Sequence, residues 1–214
     1  MPQENNSSSL LDPNDTFATL CTSIGLDVRL RKGLSRLGYV RPTLVQSKCL
    51  PLAITSGRDL LVRARTGSGK TLAYSLPLLH KILQKQSNAE EEDEPLMEDD
   101  EQNVQAIVLV PTRELCSQVH KTLQNLIYYC DDVITVAVLS SSNKKGSGED
   151  NDVILRDRPN VIVSTPAGLL SHIRKGKLNN LKESVQTLVV DEADLVLSFG
   201  TCNSFPKDKL IVVI

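Results

Sequence analysis

The run Asp59-Leu60-Leu61-Val62-Arg63-Ala64-Arg65-Thr66-Gly67-Ser68-Gly69-Lys70-Thr71 decides the fold. It reads as a short buried strand, then a turn too tight for most side chains, then the opening of a helix. Such a turn gathers backbone N–H groups into one concavity, with the positive end of the helix dipole behind them. Lys70 adds a mobile cation for the β and γ phosphates, and the Thr71 hydroxyl is placed to ligate an Mg²⁺ ion that keeps most of its waters. The common pattern for these loops has Gly six positions before the lysine, where this chain has Ala64. Thr66-Gly67-Ser68-Gly69-Lys70-Thr71 is intact behind a strand, so the run reads as a nucleoside triphosphate site.

Working outward, residues 105–110, 134–139, 161–164 and 187–190 are apolar runs of strand length. Near-continuous apolar runs suit strands buried on both faces of a parallel sheet. Between them lie helical patterns, with Asp27 as the cap of one running to Leu37 and others over 69–84, 113–130 and 166–174. Thr43 and Gln46 form a capping box ahead of a further helix carrying Leu50 and Ile54. Strands and helices alternating at this spacing predict an α/β fold, a doubly wound, mainly parallel sheet with helices on both faces. Ligands of such sheets sit beyond the carboxyl ends of the strands, where the polar motifs of this chain fall.

Asp191 follows Leu188-Val189-Val190, which sets a carboxylate beside the phosphate loop to hold the Mg²⁺ shell. Glu192 is placed to orient or deprotonate an attacking water, so γ-phosphate hydrolysis is the expected chemistry. Thr112, Arg113 and Thr165 stand at two predicted helix N-termini. Read locally, their hydroxyls and guanidinium suit helix capping and a phosphodiester backbone equally.

The chain has 214 residues, enough for one large α/β domain that buries roughly 70% of its unfolded surface. Its net charge of −2 conceals an asymmetry: nine carboxylates lie within residues 90–101, and the remainder carries +7. A basic domain with an acidic insert is compatible with a nucleic-acid partner. Seven aromatic residues are too few for base stacking to dominate. No eighteen-residue apolar run occurs, and 1–9 is polar with no charged-then-apolar leader, which predicts against membrane spanning and secretion. The five cysteines form no CxxC pair and read as reduced thiols, and the three histidines lack metal-ligand spacing.

Taken together, Arg41-Pro42-Thr43…Gln46, Ala64…Thr71, Pro111-Thr112-Arg113-Glu114-Leu115…Gln118, Thr165-Pro166 and Asp191-Glu192-Ala193-Asp194 resemble the DEAD-box RNA helicases. The wording Arg-Ala-Arg-Thr-Gly-Ser-Gly-Lys-Thr, with Val-Asp-Glu-Ala-Asp-Leu-Val-Leu-Ser-Phe-Gly, is similar to a nucleolar subgroup linked to large ribosomal subunit assembly. The resemblance implies a RecA-like ATP-binding lobe over 21–200, with ATP and Mg²⁺ as cofactors. It implies a nucleotide set of Arg41, Gln46, Ala64, Arg65, Thr66, Gly67, Ser68, Gly69, Lys70 and Thr71, in which Gln46 selects adenine as well as capping its helix. Lys70, Asp191 and Glu192 are then the catalytic set, with Thr71 and Asp191 serving the metal. Thr112, Arg113, Glu114, Thr165 and Pro166 line an RNA path, and Asp194 couples the site to a neighbouring Ser-Ala-Thr segment. The implied partner is RNA, pre-ribosomal in the nucleolar subgroup, and the implied location is the nucleus and nucleolus.

Several positions depart from the family pattern. The aromatic expected 25 residues before the glutamine falls on Cys21, with Phe17 one turn earlier, so adenine stacking is not expected from this position. Gly168 stands where the family carries an RNA-facing arginine, and Ser140, Ser141 and Ser142 replace paired glycines. A disordered tail is expected over 1–20, an acidic linker over 88–103, and a divergent tail over 201–214 in place of the family's second lobe. Residues 210–214 read either as a replacement strand or as an exposed apolar tail. Two other classes fit less well. A non-catalytic RNA- or protein-binding module would use the acidic stretch 90–101 to bind protein partners, and a small P-loop kinase would need an Arg-rich lid, which the sequence does not show.

Overall fold

The apolar runs that define the predicted strands become the middle of the molecule. The computed structural model describes residues 10–91, 104–139, 155, 158–178, 181–198 and 210–213. Among them, one parallel sheet is built from β1 (Leu61–Val62), β2 (Ala106–Leu109), β3 (Val136–Leu139), β4 (Val161–Ser164), β5 (Thr187–Asp191) and β6 (Leu210–Val213). The strand order is β1-β6-β5-β2-β4-β3. The helices are α1 (Phe17–Ser23), α2 (Val28–Arg36), α3 (Leu44–Ile54), α4 (Lys70–Glu91), α5 (Arg113–Leu126), α6 (Pro166–Arg174), α7 (Leu181–Ser184) and α8 (Ala193–Ser198).

Successive residues of a strand face opposite sides of the sheet, and here the two sides meet two cores. Ala106 and Val108 of β2 pack with Leu34 of α2, Leu76 and Leu79 of α4 and Leu123 of α5. Ile107 and Leu109 pack on the other side with Leu169 of α6 and Ala193 and Val196 of α8. Helices thus cover both faces, as the alternating pattern predicts. Strand register aligns the carboxyl ends: Leu109 pairs with both Ser164 and Val190.

The structure corrects the sequence reading in three places. Ordered chain begins before residue 21: Thr16 and Thr19 form a capping box at the start of α1, and Phe17, Leu20 and Cys21 are core residues. With Thr instead of Glu or Gln at the third position, the box escapes the usual pattern. The strand expected to be buried before the phosphate loop is only two residues long, and Leu61 is 72% exposed, because β1 is the sheet's edge. Helix α4 runs to Glu91, into the expected acidic linker, since Gln, Lys, Ala and Glu are good helix formers. Residues 92–103, the serines at 140–142 and residues 201–209 lie outside the described residues. Of the two readings left open for the C-terminal stretch, residues 210–213 take that of a strand, with β6 parallel to β1 on one side and to β5 on the other.

Four of the cysteines and His80 lie in the interior. Cys21, Cys49, Cys116 and Cys130 are buried free thiols. His80 accepts the Asp27 backbone N–H at 3.3 Å, and burial lowers its pKa. Among the described residues no group of three His, Cys, Asp or Glu side chains could hold a metal, and no helix is long and apolar enough to cross a membrane.

Candidate functional site

The turn between β1 and α4 adopts the backbone its glycines were expected to supply. Gly67 and Gly69 have φ of 81° and 85°, a region that L side chains enter only at a cost. A Cβ on Gly69 would stand 2.4 Å from Gln46 Nε2 and 3.2 Å from Thr43 Cγ2, so Gln46 packs directly on the phosphate loop. Its amide Nε2 donates to the Gly69 carbonyl at 3.1 Å, while Oε1 accepts the Thr43 backbone N–H at 2.8 Å. The reciprocal cap and the approach to the loop therefore coexist. A primary amide so engaged still has one N–H and one lone pair for a base edge.

A feature absent from the sequence reading holds this cap in place. Leu10–Asp12 runs antiparallel to Pro42–Leu44: the Leu44 N–H donates to Leu10 O at 3.0 Å and the Asp12 N–H to Pro42 O at 2.9 Å. Arg41 is exposed, and its charge acts on the neighbouring Asp12 carboxyl, which the Asn14 backbone N–H chiefly holds below the ordinary range. Cys21 and Phe17 are 2% and 4% exposed, and Phe17 meets Tyr39 edge-on. Neither side chain is presented to a ligand.

Lys70 opens α4 and its Nζ donates to the Ala64 carbonyl at 2.8 Å, so the loop curls around its own lysine. Two further ammonium donors remain. Ser68 is 4% exposed and its hydroxyl has no hydrogen-bond partner, an orphaned polar atom inside the loop that suits an anionic ligand. Across from the loop, Asp191 ends β5. Tyr74, one turn beyond Lys70, donates its O–H to Asp191 Oδ2 at 3.1 Å, and the Glu192 N–H donates to Oδ1 at 3.0 Å. Burial raises the Asp191 pKa, opposed by these two donors and by the charge of Lys70. The structure thus brings Gln46, Gly69, Lys70, Thr71, Asp191 and Glu192 into one site. Tyr74 is the member that sequence reasoning missed, although its spacing of four from Lys70 was a usable signal.

Glu192 has φ of 50°, which turns the chain sharply out of β5 into α8. For a non-glycine residue this costs on the order of 1–2 kcal/mol, less the extra chain entropy that a glycine there would have to lose. Glu192→Gly is therefore expected to raise the thermal midpoint of the ligand-free chain by about 1–3 °C. Glu192→Gln, which keeps the Cβ, should leave it unchanged. A lower midpoint for the glycine variant would rule out backbone strain at this position.

At the neighbouring strand ends, Thr112 caps α5 by accepting the Leu115 N–H at 3.3 Å, and Thr165 caps α6 by accepting the Gly168 N–H at 3.2 Å. Thr112, Arg113 and Glu114 are exposed, and Thr165 and Pro166 are half-buried. Because β2 and β4 are paired in register, the two caps stand side by side at the carboxyl end of the sheet. Gly168 is enclosed: a Cβ there would lie 2.8 Å from Ser164 Oγ and 3.0 Å from the Leu139 carbonyl. The position that carries arginine in the family pattern thus has no room for a side chain here. Asp194 is exposed on the first turn of α8.

A RecA-like parallel sheet whose phosphate loop faces a strand-end carboxylate defines a P-loop nucleotide-binding domain. More narrowly, the chain belongs to the DEAD/DEAH box helicase family, which its residues 43–206 match. It is similar to the probable ATP-dependent RNA helicase ddx56 of Dictyostelium discoideum, 42% identical over 203 residues, 94% of this chain and 27% of that protein. It is also similar to the ATP-dependent RNA helicase DBP9 of Debaryomyces hansenii, 39% identical over 192 residues, 89% of this chain and 30% of that one. Among solved structures, the RNA-helicase Prp28 from Chaetomium thermophilum bound to ADP superposes with a TM-score of 0.70 at 28% identity, covering 89% of this chain and 43% of its own. The chain therefore spans under a third of the length of these two sequence relatives.

Proposed function

We propose that this chain is the ATP-binding lobe of an ATP-dependent RNA helicase that remodels short RNA duplexes. The observation that carries the reading is the hydrogen bond joining Asp191 to the helix that Lys70 opens, which sets a cation and a buried carboxylate about one phosphate-binding turn. In this reading the loop 64–71 holds the phosphates, Lys70 pairs with their charge, and Gln46 reads adenine with its remaining N–H and lone pair. Arg41, exposed beside the same cap, flanks the base. The oxygen donors of Thr71 and Asp191 suit Mg²⁺, which supplies charge neutralisation on the phosphate oxygens when bound. Glu192 orients the attacking water, and Asp194 passes the nucleotide state to the neighbouring segment. Thr112, Arg113, Glu114, Thr165 and Pro166 grip the backbone of one RNA strand, by charge and hydroxyl contacts without reading bases. The names of the two sequence relatives support ATP-dependent action on RNA. The wording of residues 63–71 and 190–200 supports a pre-ribosomal RNA substrate and a nucleolar location.

Phosphoryl transfer in such motors also needs an arginine finger, which this reading assigns to a second lobe; fingers of this kind contribute on the order of 10³–10⁵ in rate. The purified 214-residue chain is accordingly expected to bind ATP with Mg²⁺ weakly and to show almost no RNA-stimulated hydrolysis. Calorimetry with ATP, followed by phosphate release with and without single-stranded RNA, tests both halves. Robust unwinding by this chain alone would overturn the assignment as a lobe. Well-folded protein that takes up no adenine nucleotide would overturn the function itself.

A further inference from the structure

The Tyr74 hydroxyl has no role in packing that phenylalanine could not fill. The side chain is 1% exposed in the core between α4 and the sheet, where a ring alone would bury the same apolar surface. A buried phenol must nevertheless find a partner, and this one reaches from α4 to the end of β5 to do so. Thr71, three residues earlier, lies on the same face of α4 as Tyr74. The phenol therefore ties the helix that carries Thr71 to the strand end that carries Asp191, the two residues to which the nucleotide reading gives the metal.

We infer that Tyr74 is a positioning residue: its hydroxyl fixes the plane of the Asp191 carboxylate so that Asp191 and Thr71 serve one magnesium hydration shell. This rests on the nucleotide-binding reading above and deepens it. The Glu192 N–H holds Oδ1 and the Tyr74 O–H holds Oδ2, so the carboxylate is pinned at both oxygens. Each oxygen keeps a second lone pair for a metal-bound water. With Oδ2 released, the carboxylate can swing about its last torsion, and Mg²⁺ tolerates little departure from octahedral geometry. Removing groups that orient metal-site carboxylates typically costs 10–100-fold in metal affinity.

The test compares the wild-type chain with Tyr74→Phe, measuring ADP affinity by calorimetry first in EDTA and then across a magnesium chloride titration. The expected result is an ADP affinity in EDTA within about twofold of wild type and a half-saturating Mg²⁺ concentration raised about tenfold. A purely structural role for Tyr74 would lower both affinities together, and that result would overturn the inference, as would an unchanged Mg²⁺ requirement. In an Asp191→Ala background, Tyr74→Phe should add nothing to the Mg²⁺ requirement. Should Tyr74→Phe melt too early to assay, the double variant still decides: it lacks the orphaned carboxylate, so its midpoint should recover towards wild type. A midpoint no higher than that of Tyr74→Phe alone would overturn the inference. Wild-type chain that binds no ADP under either condition would instead bring down the nucleotide reading on which this one stands.

Discussion

Lys70→Ala is expected to weaken ATP binding on the order of 10²–10³-fold while moving the stability of the ligand-free chain by no more than about 1 kcal/mol. Without nucleotide, the ammonium makes one hydrogen bond to the Ala64 carbonyl in a half-buried setting, and such a bond contributes modestly. With a triphosphate bound, the same group would face a concentrated negative charge, and truncating one partner of a buried charged pair costs about 2–5 kcal/mol. At 1.4 kcal/mol per tenfold, that range brackets the stated loss. Calorimetry for affinity and thermal unfolding for stability separate the two terms. Lys70→Arg is not expected to rescue binding, because a planar guanidinium does not replace a compact ammonium inside the loop. Near wild-type affinity in Lys70→Ala would mean that the phosphates do not sit in this turn.

Gly69→Ala is expected to lower stability by about 2–5 kcal/mol and to abolish nucleotide binding with it. Two costs combine. The left-handed backbone at φ 85° penalises any Cβ by roughly 1–2 kcal/mol. The added methyl would also meet Gln46 Nε2 at 2.4 Å, an overpacking of the kind that costs about 1–3 kcal/mol. Gln46 is the free end of a flexible side chain, but here it is 4% exposed and held by hydrogen bonds at both Oε1 and Nε2, so it cannot step aside cheaply. A double-mutant cycle tells the two costs apart: Gln46→Ala should relieve the clash but not the backbone strain, recovering about half the loss. Urea unfolding measures this directly. If Gly69→Ala proves neutral, the close packing of Gln46 on the phosphate loop is wrong.

The Gly69 variant acts through a contact between two separate elements, and that is where sequence reading and structure divide. The strand-and-turn pattern at 59–71, the apolar runs and the caps at Asp27, Thr43, Thr112 and Thr165 were legible because each depends on residues within a few positions of one another. The capping reading of Gln46 held for the same reason, and its contact with Gly69 could not be seen locally, being 23 residues away. Helix α1 was missed because a seven-residue helix carries little periodic signal and is held by its burial. The exposure of Leu61 was missed because an apolar run says nothing of which strand ends up at an edge.

The sequence by itself determined the sheet type, the phosphate turn and the residue types at the strand ends, since local sterics and hydrogen-bonding groups dictate them. Only the tertiary structure decided that β6 stands between β1 and β5, that Leu10–Asp12 pairs with the Thr43 segment, and that Tyr74 reaches Asp191. These pairings join residues 32 to 151 positions apart: Leu11 with Thr43, Tyr74 with Asp191 and Leu61 with Val212. Which distant groups meet is set by how the layers pack to bury their apolar faces, a property of the whole chain that no single stretch encodes.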